Sequence, residues 1–287
     1  MGDEAYGLGL LIAEGKGNPL KQKAAEFDVP QTFTKWAKGF GGALRWFVKG
    51  TGKIEFTEET LRVVAGETTV ERTVDVQLND HGRERHFIWQ PPLTLTLQAR
   101  FSHSVDDFQG TAGFGFWNKP VKMSRGLFYG MPRAAWFFFA SPPSEIKLAE
   151  TVSGSGWKAA TMDAGRWPFL ALLPLAPLAI PLFNIHWLRQ KLWPIGQRAM
   201  GVQEQMLTMD WQAWHTYQIE WGGKETRFRV DGEEVLRAPS PRGPLGFVVW
   251  IDNKWAILRV DGRVGKGKLA FTEEQWLEIG QLKIERG

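Results

Sequence analysis

The stretch Leu93-Thr94-Leu95-Thr96-Leu97-Gln98-Ala99-Arg100-Phe101 decides the fold class. Apolar and polar residues alternate in it without a break, and a period of two places every second side chain on one face of an extended chain. A helix would scatter the same apolar side chains around its circumference, so the stretch predicts a strand with one buried and one solvated face. His215-Thr216-Tyr217-Gln218-Ile219-Glu220-Trp221 alternates again, Gly222-Gly223 interrupts it, and Thr226 to Val230 resumes it before Asp231-Gly232, a favoured hairpin dipeptide. Strands joined by tight turns are expected there. Gly246 to Ile251 is a continuous apolar run between Pro244 and Asp252, as an inner strand covered on both faces requires. Ile54 to Phe56, Leu61 to Val64, Phe114 to Trp117, Ala134 to Phe139 and Trp157 to Thr161 are further short candidates. Trp276 to Ile284 reads as a last strand with a bulge at Gly280; the alternative is a terminal helix capped by Thr272 and Gln275. Short strands punctuated by Gly and Pro predict an all-β sandwich of two antiparallel sheets.

The chain has 287 residues, 43% hydrophobic and 23% charged, which excludes a disordered or multiply spanning chain. A net charge of +4 is too small for a nucleic-acid-binding surface. With no Cys, disulfides, thiolate metal sites and a Cys nucleophile are excluded, and stability must come from the core. No signal-peptide pattern is seen at the N-terminus, so a cytoplasmic or peripheral membrane location is expected. Fifteen Trp and 19 Phe against three Tyr make the aromatic surface unusually apolar, as a ring-rich core or a ring-stacking site demands.

Two segments depart from the strand pattern. Thr34 to Lys53 has five basic and no acidic residues, and Phe33, Trp36, Phe40, Leu44 and Phe47 recur at spacings of three and four. That predicts a basic amphipathic helix, either packed on the sandwich or set on an anionic membrane surface. Residues 1–53 are accordingly expected to form an N-terminal extension and residues 54–287 the sandwich. Within the sandwich, 166–198 is an apolar insertion whose Trp167 to Leu188 carries no charge. Pro168, Pro174, Pro177 and Pro181 argue against one spanning helix. A lid over a cleft or a lipid contact is expected instead, with Trp167, Phe169, Phe183 and Trp187 as the contact residues.

Gly113-Phe114-Gly115-Phe116-Trp117, Trp136 to Glu150, Trp214-His215-Thr216-Tyr217-Gln218-Ile219-Glu220-Trp221 and Phe228-Arg229-Val230-Asp231-Gly232 follow one another in an order and spacing that resemble glycoside hydrolase family 16. The likeness covers roughly Leu93 to Ile251 and implies a concanavalin A-like jelly roll. That family carries E-x-D-x-x-E on its catalytic strand, with a nucleophile, an assisting Asp and an acid/base. The matching place here reads Glu145-Ile146-Lys147-Leu148-Ala149-Glu150, with Lys147 where the family has Asp. Retaining hydrolysis needs two carboxyls about 5–5.5 Å apart, one of them protonated. A lysine ammonium between them favours both charged forms, so hydrolysis is expected to be absent or impaired.

Binding does not need the acid/base pair. Rings stack on sugar C–H faces while amides and charges meet hydroxyls, so Trp117, Asn118, Arg133, Trp136 and Trp157 are the candidate ligand residues. The expected partner is a polysaccharide or glycolipid. An active retaining glycosidase using Glu145 and Glu150, and a membrane-associated protein for an apolar ligand, stay open as alternatives. His81, His86, His103, His186 and His215 show no metal-ligand spacing, and no metal or cofactor is expected for catalysis. Val74 to Asp80 supplies acidic and amide oxygens for a structural calcium ion, or merely flanks a turn.

Overall fold

Leu93, Leu95, Leu97, Ala99 and Phe101 are all buried and the residues between them half-buried, so the alternating stretch is the strand its pattern predicts. A computed structural model of the chain describes residues 25–28, 44–57, 59–80, 87–118, 131–147, 149, 151–259, 261 and 263–287. Numbered in chain order, the strands form two large antiparallel sheets and one small sheet. The eight-stranded sheet runs β1 (Ala25–Asp28), β2 (Arg45–Lys49), β5 (Asp75–Asn79), β15 (Gly246–Asp252), β7 (Thr111–Trp117), β8 (Arg133–Ala140), β10 (Gly156–Asp163), β11 (Gln203–Met206). The seven-stranded sheet runs β14 (Glu233–Pro239), β13 (Glu225–Val230), β12 (His215–Trp221), β6 (Leu93–Phe101), β18 (Gln275–Arg286), β4 (Thr60–Ala65), β3 (Lys53–Phe56). Face to face they make the jelly-roll β-sandwich. The core between them joins Leu95, Leu97 and Ile219 of one sheet to Phe114, Phe137 and Val249 of the other.

Local chemistry explains the joints. Asp231 and Gly232 both have positive φ, 51° and 85°, which matches a two-residue turn between β13 and β14 to the right-handed twist of the strands. In β18 the pairing with β6 shifts between Gly280 and Lys283, with Gln281 at φ 49°. Leu277 and Ile279 face the core before this bulge and Leu282 and Ile284 after it, so one extra residue exchanges the strand's parity. The last segment is therefore a strand, not the capped helix.

The predicted basic helix is corrected. Its described part, from Leu44 onward, contains β2 and the start of β3; Thr34 to Ala43 lies outside the described residues. Trp46 is buried and Val48 packs on the core, so period-two alternation within Arg45-Trp46-Phe47-Val48-Lys49 outweighs the looser spacing of three and four. β2 pairs with β5 and β1 with β2, placing residues 25–28 and 45–49 inside the eight-stranded sheet.

Between β10 and β11 the apolar insertion folds into α1 (Trp167–Leu172), a 3₁₀ turn (Leu173–Leu175), α2 (Ala176–Phe183) and α3 (His186–Met200). Pro168, Pro174 and Pro177 sit in first turns, where no N–H is needed, so the prolines divide the segment into short helices. Among the described residues no helix is long and apolar enough to cross a membrane.

Candidate functional site

An isolated sandwich keeps the outer face of each sheet polar. The eight-stranded sheet departs from that rule. Strand register aligns Phe47, Gln77, Trp250, Gly113, Phe138 and Lys158 in one row across its outer face. The adjacent row carries Asn79, Val248, Gly115, Trp136 and Ala160. Trp117, Trp136, Phe138 and Trp250 form a cluster separate from the main core. Trp117 and Trp250 stack at 6.3 Å and 10°, Trp136 and Phe138 at 5.5 Å and 21°, and Trp136 lies 5.5 Å from Trp250. Gly113 is required beneath: a Cβ there would lie 2.7 Å from the Trp250 ring, which therefore rests on bare backbone. Trp117 and Trp136 remain partly exposed.

A polar network adjoins the rings. Trp250 Nε1 donates to Thr111 Oγ1 (3.0 Å), and Thr111 Oγ1 donates to Asp252 Oδ1 (2.8 Å). Lys254 Nζ reaches Asp252 Oδ2 at 2.7 Å and Asp75 Oδ2 at 2.5 Å, while Gln77 Nε2 donates to Asp75 Oδ1 at 2.8 Å. Burial raises the Asp252 carboxyl above its ordinary range, with the Asp75 charge adding to the rise and Lys254 opposing it. Burial works against the Lys254 charge, but Asp252 and Asp75 outweigh it and hold the ammonium. The two carboxyl groups share one cation, Lys254, between them.

The sequence-predicted residues divide. Trp117 and Trp136 meet on the outer face. Trp157 does not: it is fully buried in the main core between Phe101, Phe137 and Trp211, because its partner in β8 is the inward-facing Phe139. Asn118 is buried and spends both side-chain atoms on backbone, donating to Met131 O and accepting from Arg133 N. Arg133 donates to the carbonyls of Arg242 and Gly243, with burial lowering its pKa. Both shape the end of the sheet.

Glu145 and Lys147 lie on β9 (Glu145–Lys147), in the small sheet with β16 (Lys254–Arg259) and β17 (Val264–Lys268). β9 pairs in parallel with β16 and belongs to neither large sheet. The Glu145 carboxylate is ion-paired with Arg259, which also binds Asp261. Glu150 lies outside the described residues. Ile146 packs on the outer-face cluster, and the fully buried Lys158 donates to Ile146 O (3.1 Å) and Ser153 O (2.7 Å), fixing this segment over β10. Trp167 and Trp187 are exposed, whereas Phe169 and Phe183 pack inward on Trp193 and Met200.

The Val74 to Asp80 oxygens meet protein donors: Asp75 meets Lys254 and Gln77, and Asp80 accepts from Trp89 Nε1 and Phe247 N. Among the described residues no group of three or more His, Asp or Glu is placed to hold a metal. His215 borders a groove of about 540 Å³, but its Nδ1 donates to Asp231 at 2.6 Å and its Nε2 to the Asp210 carbonyl at 2.8 Å. Both partners are acceptors, so the contacts favour the protonated ring, in which both nitrogens donate.

Two of these groups give stability a defined pH dependence. Burial lifts Asp80 to about 7, against the opposing bonds from Trp89 and Phe247. Between the ordinary carboxylate value and about 7 the folded chain holds a proton the unfolded chain has released, so stability falls as pH rises through that window. For His215, burial pushes the pKa down but Asp231 and the Asp210 carbonyl hold it above 6.5. Its contribution is complete below that value and lost as pH rises through the folded pKa. Denaturant midpoints should therefore be lower at about pH 8.5 than at about pH 5. Equal midpoints would contradict this assignment.

No family model matches the chain, and no curated protein matches it. Among solved structures, an endo-β-1,3-glucanase from Pyrococcus furiosus is similar with a TM-score of 0.43 at 10% identity, over 82% of this chain and 78% of that one. A legume lectin-like domain from Entamoeba histolytica gives 0.43 at 8% identity, over 84% and 90%. A GlcNAcα1-4Gal-releasing endo-β-galactosidase from Clostridium perfringens gives 0.42 at 13% identity; 90% of this chain spans 61% of that one. A sialidase is spanned over 17% of its length.

Proposed function

We propose that the outer face of the eight-stranded sheet binds a carbohydrate chain without cleaving it. The observation that carries this reading is the four-ring cluster of Trp117, Trp136, Phe138 and Trp250 on a face that a sandwich needing only a core would keep polar. Sugar rings present flat C–H faces edged by hydroxyls. The partly exposed indoles offer flat apolar partners, and the partly exposed Lys254 ammonium, held beside them by the buried Asp75 and Asp252 carboxylates, offers a donor. Hydrolysis is not part of the reading, because Glu145 is held by Arg259 and the Asp75–Asp252 pair by Lys254.

Thermal unfolding against a panel of β-1,3- and β-1,4-linked oligosaccharides tests it. At a ligand concentration of a hundred times Kd, stabilisation of about 2.7 kcal/mol should raise Tm by about 5 °C. Trp136→Ala should fold and lose the shift. No shift of the native protein with any member of the panel would count against the proposal. Reducing-end release that disappears in Glu145→Gln would replace it with a glycosidase.

A further inference from the structure

The insertion between β10 and β11 buries one side only. Phe169, Phe183, Trp193 and Met200 turn inward onto Met131 and Met162, with Phe183 and Trp193 edge to face at 6.0 Å. Trp167 is 75% exposed, Leu178 71%, Trp187 57% and Ile195 53%, and Leu175 and Ile185 are exposed beside them. Isolated apolar side chains on a surface need no explanation; this many on one short insertion mark a contact surface.

Charge identifies what covers it. No Asp or Glu occurs between Ala164 and Gln203, while Arg166, Arg189, Lys191 and Arg198 lie within that stretch. Arg189 is used internally, donating to Phe183 O at 3.0 Å and lying 3.6 Å from Asp261. Lys191 and Arg198 are exposed, and Lys191 sits 5.5 Å above the Trp187 ring. Exposed apolar groups with indoles and cations, and without a single acid, suit an anionic bilayer interface. A second copy suits it less, since a two-fold contact would bring these cations together with no carboxylate from the insertion to answer them. The longest described helix has 15 residues and is about 22 Å long, too short to cross the roughly 30 Å hydrocarbon core.

We propose that this insertion docks the protein onto an anionic lipid bilayer, with Trp167, Leu178, Trp187 and Ile195 immersed and Lys191 and Arg198 among the headgroups. This is independent of the carbohydrate reading. The test is flotation with phosphatidylcholine vesicles containing about 30 mol% phosphatidylglycerol, alongside vesicles of phosphatidylcholine alone. The native protein should float with the anionic vesicles and less with the neutral ones. Leu178→Asp combined with Ile195→Asp should lower the bound fraction about tenfold, because charge is placed where hydrocarbon is required. Both side chains are solvent-exposed, so the variant should keep the native far-ultraviolet spectrum and Tm, as well as any oligosaccharide binding. Failure of the native protein to float would overturn the proposal, as would equal flotation of the variant. A native dimer by light scattering that the variant converts to monomer, without flotation, would assign the surface to a second copy.

Discussion

Trp157→Ala is expected to destabilise the protein by about 3–5 kcal/mol, the cost of emptying a large aromatic site in a core that cannot collapse around it. Trp157 is fully buried and touches rings from both sheets: Phe114 at 5.7 Å, Phe101 at 5.3 Å, Trp211 at 5.6 Å and Tyr217 at 5.9 Å. These neighbours sit on β6, β7 and β12 and on the segment before β12, so little can move in to fill the space. Urea denaturation measures the loss. Trp136→Ala gives the contrasting result, since its ring is partly exposed on the outer cluster and its removal opens toward solvent. A loss at Trp157 no larger than that at Trp136 would mean that the ring is not a core ring.

Lys158→Met is expected to cost a similar amount, about 3–5 kcal/mol, by a different route. The ammonium is fully buried, donates to two carbonyls and lies 3.5 Å from Glu204, itself 6% exposed. Burial lowers the Lys158 pKa while Glu204 opposes the shift. Methionine fills the volume and leaves the Glu204 carboxylate without this counter-charge. The double variant Lys158→Met, Glu204→Met removes both charges and should recover much of the loss, because an apolar pair carries no desolvation cost. Additive losses in that cycle would show that the two side chains do not interact. Lys158 also fastens the segment bearing β9, so the single variant should increase amide exchange at Ile146.

The sandwich is legible in the sequence because its decisive strands have one polar face. β6, β12 and the two phases of β18 alternate, and Asp231-Gly232 names its own turn. The site is less legible for the opposite reason. Arg133–Ala140 and Gly246–Asp252 are apolar on both faces, so no alternation tells which of Trp136, Phe137 and Phe138 points outward. That parity comes from register, which sets Trp136 opposite Ala160 and Trp157 opposite the inward Phe139. Sequence alone therefore puts Trp157 in the cleft and passes over Trp250 and Phe138, which the fold places in the outer-face ring cluster.

One signal in the sequence takes a different meaning in the fold. Asp75, Gln77 and Asn79 alternate with Val74, Val76 and Leu78, the pattern of a strand with a polar face; the calcium reading draws on the same oxygens. Lys254, which follows Asp252 by two residues, supplies the cation that holds Asp75. Glu145 and Glu150 have the spacing of the family's catalytic strand; Glu145 lies in a three-residue strand beside Arg259, a placement that only tertiary pairing supplies, and Glu150 lies outside the described residues.

On the proposed reading, the outer-face rings hold carbohydrate without cleaving it. Calorimetric titration of the native protein and of Trp136→Ala with one oligosaccharide from the panel, followed by analysis of the sugar recovered from the cell, tests it most directly. The native protein should bind saturably, Trp136→Ala should bind at least about tenfold more weakly, and the sugar should be recovered intact. Equal affinity of the two proteins, or shortened sugar from the native one, would contradict it.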